Sequence, residues 1–165
     1  MAEGQEEPVG ESREEELVAA RRAKADALRA AGTEPFPHAF EDVEAIASVL
    51  ETHDALENGE ETDSKHRVGG RLAARRGQGG AAFMDLVDRT GRIQLLVQSD
   101  HVGEDAFEAI TDLDLGDLIG VDGTAIRTRR GELSLKVDAI TLLAKSLRPP
   151  PDKHHGLKDI ETRYR

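Results

Sequence analysis

Six side chains in the middle of this sequence could handle a polyanion that carries aromatic rings: Arg71, Arg75, Arg76, Phe83, Arg92 and Gln94. A phenyl ring stacks on an unstacked base, a carboxamide pairs with a base edge, and guanidinium groups hold phosphates or base acceptors. Aromatic residues make up only 3% of the chain, so the direction in which Phe83 points decides whether this chemistry exists. A lone aromatic on a strand more often packs under a neighbouring element, here the N-terminal helices, than against a ligand.

Other chemistries find less support. The chain has no cysteine, which excludes a disulfide framework, a thiolate metal site and a cysteine nucleophile. Gly77-x-Gly79-Gly80 is followed by no Lys-Ser/Thr pair and sits in no strand–loop–helix pattern, so it is expected to be a hairpin turn rather than a phosphate loop. The six histidines show no ligand spacing with carboxylates on a helix, and no metal site is expected. Asp85 and Asp88 are expected to be solvated strand-end residues, not a pair of catalytic acids. No catalytic residue is expected in the chain.

The elements that position the six residues follow from periodicity. After Lys65 the sequence alternates with period two, predicting strands over 67–76, 81–88, 92–99, 117–128 and 132–144. Turn signals separate them at Gly77–Gly80, Asp88–Gly91 and Arg129–Gly131. Between the third and fourth strands, 101–112 carries Val102, Ala106, Phe107 and Ile110 at helical spacing. Five strands with a helix after the third make a mainly β chain, a five-stranded Greek-key OB-fold barrel. Ahead of it, Ser12 and Glu15 have capping-box spacing, predicting a helix that runs to Ala31 and stops at Gly32. A second helix is predicted over 41–56, and Asn58–Ser64 is expected to be a polar linker. The expected domain organisation is a disordered acidic tail over 1–11, a helical extension over 12–64, the barrel over 65–145, and a linker over 146–165 that starts with the stiff Arg148-Pro149-Pro150-Pro151.

Face assignment depends on one turn. If Arg89 and Thr90 form a two-residue loop pairing Asp88 with Gly91, then Phe83 opposes Leu96 and Asp85 opposes Gln94. Met84 and Leu86 then face the core with Ile93, Leu95 and Val97, while Phe83 and Gln94 share the outer face as diagonal neighbours about 7–8 Å apart. A loop longer or shorter by one residue would separate them.

Size and charge bound the rest. At 165 residues the chain holds about one domain and an extension. No apolar run approaches the ~18 residues of a membrane span, and the acidic N-terminus is no signal-peptide n-region, so the chain reads as cytoplasmic with no membrane partner. The formal net charge is −11, but residues 1–64 hold 18 acidic and 5 basic side chains while residues 65–165 hold 15 acidic and 17 basic. The basic stretches are candidate polyanion contacts; a generally acidic, solubilising background with 16 Arg to 6 Lys fits the same numbers. The five basic residues of the first part lie in the first helix, spread over about half its circumference, which suits a solvated face.

Longer motifs bear on this. They are Val68-x-Gly70-Arg71 with Arg75-Arg76, Ala82-Phe83, and Asp88-x-x-Gly91-Arg92-Ile93-Gln94-Leu95. Further on come Leu115-Gly116-Asp117-x-Ile119-Gly120-Val121-x-Gly123, Gly131-Glu132-Leu133-Ser134, and Lys145-Ser146-Leu147-Arg148-Pro149-x-Pro151-Asp152-Lys153-x-His155-Gly156-Leu157, with Arg163-Tyr164-Arg165 at the end. With these residues the chain resembles the N-terminal anticodon-binding domain of class II lysyl-tRNA synthetases and the start of the linker that follows it. The barrel motifs would also suit aspartyl- or asparaginyl-tRNA synthetases; the linker and the leading helix favour lysine.

The resemblance implies that Phe83 stacks on the central anticodon uridine, Gln94 hydrogen-bonds its edge and Arg76 adds a contact, with Arg71, Arg75 and Arg92 as possible RNA backbone contacts. It implies a tRNA partner for this chain, and ATP, Mg2+ and lysine only for a catalytic domain whose three class II motifs do not occur here. It further implies a homodimeric parent, with this chain expected to be monomeric and inactive alone. Gly80 stands where the family often has Lys, and His154 where it has Phe. A free-standing OB module that binds RNA or protein without catalysis stays open, as does a parent that uses lysyl-tRNA to modify lipids.

Overall fold

The computed structural model describes residues 9–37 and 39–149; residues 1–8 of the tail expected over 1–11, and the linker beyond Pro149, including His154, lie outside the described residues. The first helix, α1, spans Val9–Ala30 and so starts before Ser12, inside the stretch expected to be disordered. A short helix α2 (Ile46–Thr52) precedes five strands: β1 (Glu61–Gln78), β2 (Ala81–Val87), β3 (Arg92–Gln98), β4 (Leu118–Arg127) and β5 (Leu133–Ala144). Between β3 and β4 lie α3 (Ser99–Val102) and α4 (Glu104–Thr111). The strands close a barrel in the order β1-β2-β3-β5-β4, antiparallel except for the β3–β5 pair. This is the OB-fold arrangement expected from five strands with a helical segment between the third and fourth.

The core is what the period-two pattern selects. Met84, Leu86, Ile93, Leu95 and Val97 are buried together with Val68, Leu72, Ile119, Val121, Leu135 and Val137. Ile46 and Val49 of α2 and Ile110 of α4 join the same cluster, with Phe107 packed against it. Gly120 lets Phe40 lie across the sheet, because a Cβ there would come within 2.3 Å of the ring.

Local differences from the expected elements have physical causes. The segment expected to be one helix over 101–112 breaks at Gly103, whose φ of 89° leaves the helical range. The helix predicted over 41–56 shrinks to α2 because Glu44 is extended, its N–H donating to the Arg67 carbonyl and its backbone bridging Val68. β1 starts at Glu61, inside the expected linker: its first residues are polar and carry no alternation, yet they pair with β4. Ion pairs Lys136–Glu61 (2.8 Å) and Lys65–Asp138 (2.6 Å) accompany that extension.

The basic residues of α1 are only partly solvated, contrary to expectation. Arg21 is buried, donating from Nη1 to the carbonyls of Ser146 and Arg148 and from Nη2 to that of Leu115. Lys24 donates to Asp112 and Asp114; burial opposes its charge, but these carboxylates outweigh the penalty and raise its pKa. Beneath them, Lys145 lies buried between Asp114 (2.5 Å) and Asp117 (2.7 Å), and Asp117 also accepts from the N–H groups of Ser146 and Asp114. The Leu115-Gly116-Asp117 and Lys145-Ser146 motifs thus meet in one ionic clamp that anchors α1 to the barrel.

Two predictions follow from this packing. Removing one member of a buried ion pair leaves the other uncompensated, at a cost of about 3–5 kcal/mol, so Asp117→Ala is expected to lower the free energy of urea unfolding by that order. A loss under about 1 kcal/mol would mean that Asp114 alone satisfies Lys145.

The second prediction concerns acid. His53, buried at the end of α2, has its Nε2 2.8 Å from that of His66, whose Nδ1 faces Glu44. Burial first and the neighbouring His66 second push the His53 pKa down, against the pull of Glu44. The unfolded chain therefore takes up this proton before the folded one, so stability is full above pH ~6.5 and falls as the pH drops below that value. Melting temperatures across pH 5–8 should show the fall, and His53→Gln should remove it; an unchanged fall in that variant would assign the step elsewhere.

Candidate nucleic-acid interface

Three strands carry four of the six predicted residues, Arg76, Phe83, Arg92 and Gln94, to one face. Asp88 follows β2, its N–H donating to the Gly91 carbonyl (3.1 Å), which makes Arg89-Thr90 a two-residue loop. One oxygen of Asp88 accepts from the N–H groups of Thr90 and Gly91 and from the Thr90 hydroxyl; the other accepts from the N–H of Ile46. Thr90 Oγ1 accepts from the N–H of Ala47. The loop therefore caps α2 from a distance, since the α2 N-cap residue Ala45 supplies no side-chain acceptor. Burial would raise the Asp88 carboxyl, but these hydrogen bonds prevail and hold it below its ordinary value. Asp88 is thus a structural residue rather than a solvated strand end.

With this loop, Phe83 pairs with Leu96, Asp85 with Gln94, and Val87 with Arg92. On the other side of β2, Arg76 pairs with Phe83 and Ala74 with Asp85. β1 reaches that register through a one-residue bulge at Ala73, between Leu72, which is core, and Ala74. The bulge changes the parity of β1, so Leu72 points inward while Arg76 points outward beside Phe83.

The result is a concavity of about 760 Å³ lined by Arg76, Phe83, Arg92 and Gln94, with Asp85 at its floor and Arg129, Arg130 and Glu132 along the rim. The Phe83 ring is half-buried and lies outside the core cluster. None of the residues lining this concavity comes from α1 or α2. Gln94 accepts a hydrogen bond at Oε1 from the Ser134 hydroxyl (3.0 Å), so its NH2 group is what the amide offers to an acceptor.

Arg71 and Arg75 are placed elsewhere. Arg71 Nη1 donates to the Gly116 carbonyl (2.7 Å). Arg75, inward-facing past the bulge, donates to the carbonyls of Thr111 and Leu113 (2.6 Å to the latter) at the end of α4, where a cation suits the orphan carbonyls. The concavity holds Arg76, Phe83, Gln94 and Arg92 but not these two.

Asp85 corrects a further expectation. It is a mid-strand residue, buried at 7% exposure, lying between Arg76 (Nη2–Oδ1, 3.4 Å) and Arg92 (Nη1–Oδ2, 3.4 Å). Arg129 and Arg130, seen in the sequence only as a turn, reach the site because β5 runs parallel to β3, with Ser134 level with Gln94. Strand order, which alternation does not encode, is the signal that finds them. Four arginines against Asp85 and Glu132 give the concavity a positive balance in a chain of net charge −11. Among the described residues no group of three or more His, Asp and Glu is arranged to hold a metal ion, and no helix is long and apolar enough to cross a membrane.

Comparison with known proteins agrees with the OB-fold of the barrel. Residues 66–143 match the family model described as an OB-fold nucleic acid binding domain of the tRNA anticodon type. The chain is 45% identical over 152 residues to the lysine–tRNA ligase of Halalkalibacterium halodurans, an alignment covering 91% of this chain and 30% of that protein. It is 49% identical over 158 residues to that of Xylella fastidiosa (92% and 31%) and 42% identical over 167 residues to that of Enterococcus faecalis (100% and 33%). The chain thus spans about a third of the length of the curated relatives it matches. Over residues 66–143 the chain is similar to OB-fold nucleic acid binding domains, and over nine-tenths of its length or more it is similar to part of the lysine–tRNA ligases.

Proposed function

We propose that this chain reads the anticodon loop of a lysine tRNA as one part of a lysine–tRNA ligase, with residues 65–145 as the RNA-binding unit, 12–64 as its helical extension and 146–165 as the lead into a catalytic domain. ATP, Mg2+ and lysine would be used by that domain, in the cytoplasm, in a parent that dimerises mainly through it; this chain alone would be monomeric. The convergence of Phe83, Gln94 and Arg76 in one positively balanced concavity carries the proposal. A base stacked on Phe83 lies beside the Gln94 amide, whose NH2 complements the O4 acceptor of uracil and opposes the amino group of cytosine. Arg76, Arg92, Arg129 and Arg130 supply the cations that a bent, single-stranded loop needs. The names of the relatives supply the amino acid.

Titration with an anticodon stem-loop, and with one whose central uridine is replaced by cytidine, tests this. We expect weak, salt-sensitive binding that prefers uridine, because one barrel offers few phosphate contacts. Phe83→Ala should weaken binding by ~1–3 kcal/mol, the range of a base–aromatic stack, with little change in melting. Gln94→Ala should lose discrimination more than affinity. Equal affinity of the parent chain for both loops would end the anticodon assignment. A Phe83→Ala protein that is ~3–5 kcal/mol less stable yet binds normally would make the ring a core residue.

A further inference from the structure

Asp85 is the one anion at the floor of a surface whose other work, on the proposal above, is to hold RNA. A carboxylate there repels phosphate, so its presence needs a cause. Strand chemistry gives it none: Asp is disfavoured within strands, its partner on β1 is Ala74, and its partner on β3 is the neutral Gln94. Its ionic contacts are instead diagonal and symmetrical. Oδ1 faces Arg76 from one adjacent strand and Oδ2 faces Arg92 from the other, both at 3.4 Å, while each of those arginine side chains stays 61% exposed.

We infer that Asp85 is a positioning residue for base recognition, a fixed counter-ion that holds Arg76 and Arg92 on either side of the Phe83–Gln94 face and cancels one of the charges there. This rests on the anticodon-binding proposal. The small side chain of Ala74 leaves room for the carboxylate to sit low in the sheet, and its 7% exposure keeps it from being displaced by water. Contacts of 3.4 Å are at the long end of hydrogen bonding, so the arginines are aligned but can be handed over when RNA arrives. Without Asp85 the two guanidinium groups would lose their common anchor, and the site would gain a unit of positive charge. Phosphate from any strand would then be held more strongly, in more registers, at the expense of the register that brings a base edge to Gln94. Phosphate contacts position, and base contacts specify; that division is described for duplex DNA and extended here to an RNA loop.

The test uses the whole 165-residue chain with the uridine and cytidine stem-loops, titrated between 50 and 200 mM KCl. Asp85→Asn keeps size and shape and removes the charge. It should bind both loops more tightly at 50 mM, steepen the slope of log K against log salt by about 0.7, the contribution of one further charge against single-stranded nucleic acid, and bring the uridine preference toward one. Asp85→Glu restores the charge and should return the salt slope to that of the parent. Unchanged slope and preference in Asp85→Asn would overturn the inference. So would a parallel loss of affinity for both loops with a lowered melting temperature, the result of a merely structural role. Phe83→Ala, run alongside, keeps the two proposals apart: if it and the parent bind alike, base reading itself fails, whereas a stacking loss at Phe83 with no effect at Asp85 removes only the counter-ion role.

Discussion

Side chains along a strand alternate between faces, so a slip of one residue in β1 or in the β2–β3 hairpin would send half of the binding face into the core. The whole candidate site depends on two devices that fix this parity. Asp88 closes the hairpin by gathering the N–H groups of Thr90 and Gly91, and by capping α2 it links the loop to a helix whose Ile46 and Val49 belong to the core. Any other loop length would forfeit both the turn and the cap. The bulge at Ala73 does the same for β1, taking up one residue so that Leu72 can be core and Arg76 can stand beside Phe83. Neither residue touches the concavity, yet both determine what lines it.

The charge pattern follows a similar division of labour. More than half of the acidic residues lie in the first 64 positions, and two of the basic residues there, Arg21 and Lys24, dock α1 to the barrel. Their partners are the acidic run over 112–117 and the backbone that leaves β5. The guanidinium groups of Arg71 and Arg75 likewise satisfy carbonyls around the end of α4. Arg76, Arg92, Arg129 and Arg130, by contrast, gather on the outer face of β1–β3 and on the β4–β5 turn. A strongly acidic protein can thus present a locally positive surface, and at physiological ionic strength, where the screening length is about 8 Å, the local balance governs contact with an anion more than the net charge of the whole chain does.

How much of this was legible in the sequence differs by element. The core side chains of β2 and β3 and the Phe83–Leu96 and Asp85–Gln94 pairs follow directly from alternation plus one turn, because the Asp88–Gly91 loop obeys local chemistry that its own residues state. The start of β1 was not legible: Glu61–Lys65 has no apolar alternation, and only pairing with β4 makes it a strand. The bulge escaped because Ala73 and Ala74 suit either face. Helix periodicity places Arg21 and Lys24 on a face without saying what packs there. The charge of Asp85 suggests exposure, and only its diagonal neighbours on two other strands explain why it can be buried.

The four buried Arg, Lys and Asp side chains among the described residues share a feature that bears on how the site is built. Asp85, Asp117, Lys145 and Arg21 are charged groups whose partners lie on other elements, so each ties together parts of the chain that local propensity leaves independent. Apolar packing alone fixes a barrel but tolerates small shifts of its strands and loops, because hydrophobic contact has no direction. Ionic and hydrogen-bonded contacts have direction, and an unpaired buried charge is costly, so they favour one arrangement over its near neighbours. The clamp around Asp117 and Lys145 fixes α1 and the exit of β5 relative to the barrel, and the Asp88 loop fixes the hairpin. Within that frame, the arginines around Asp85 are held at longer distances and remain exposed. The firm contacts thus lie where the barrel must not move, and the looser ones line the candidate site.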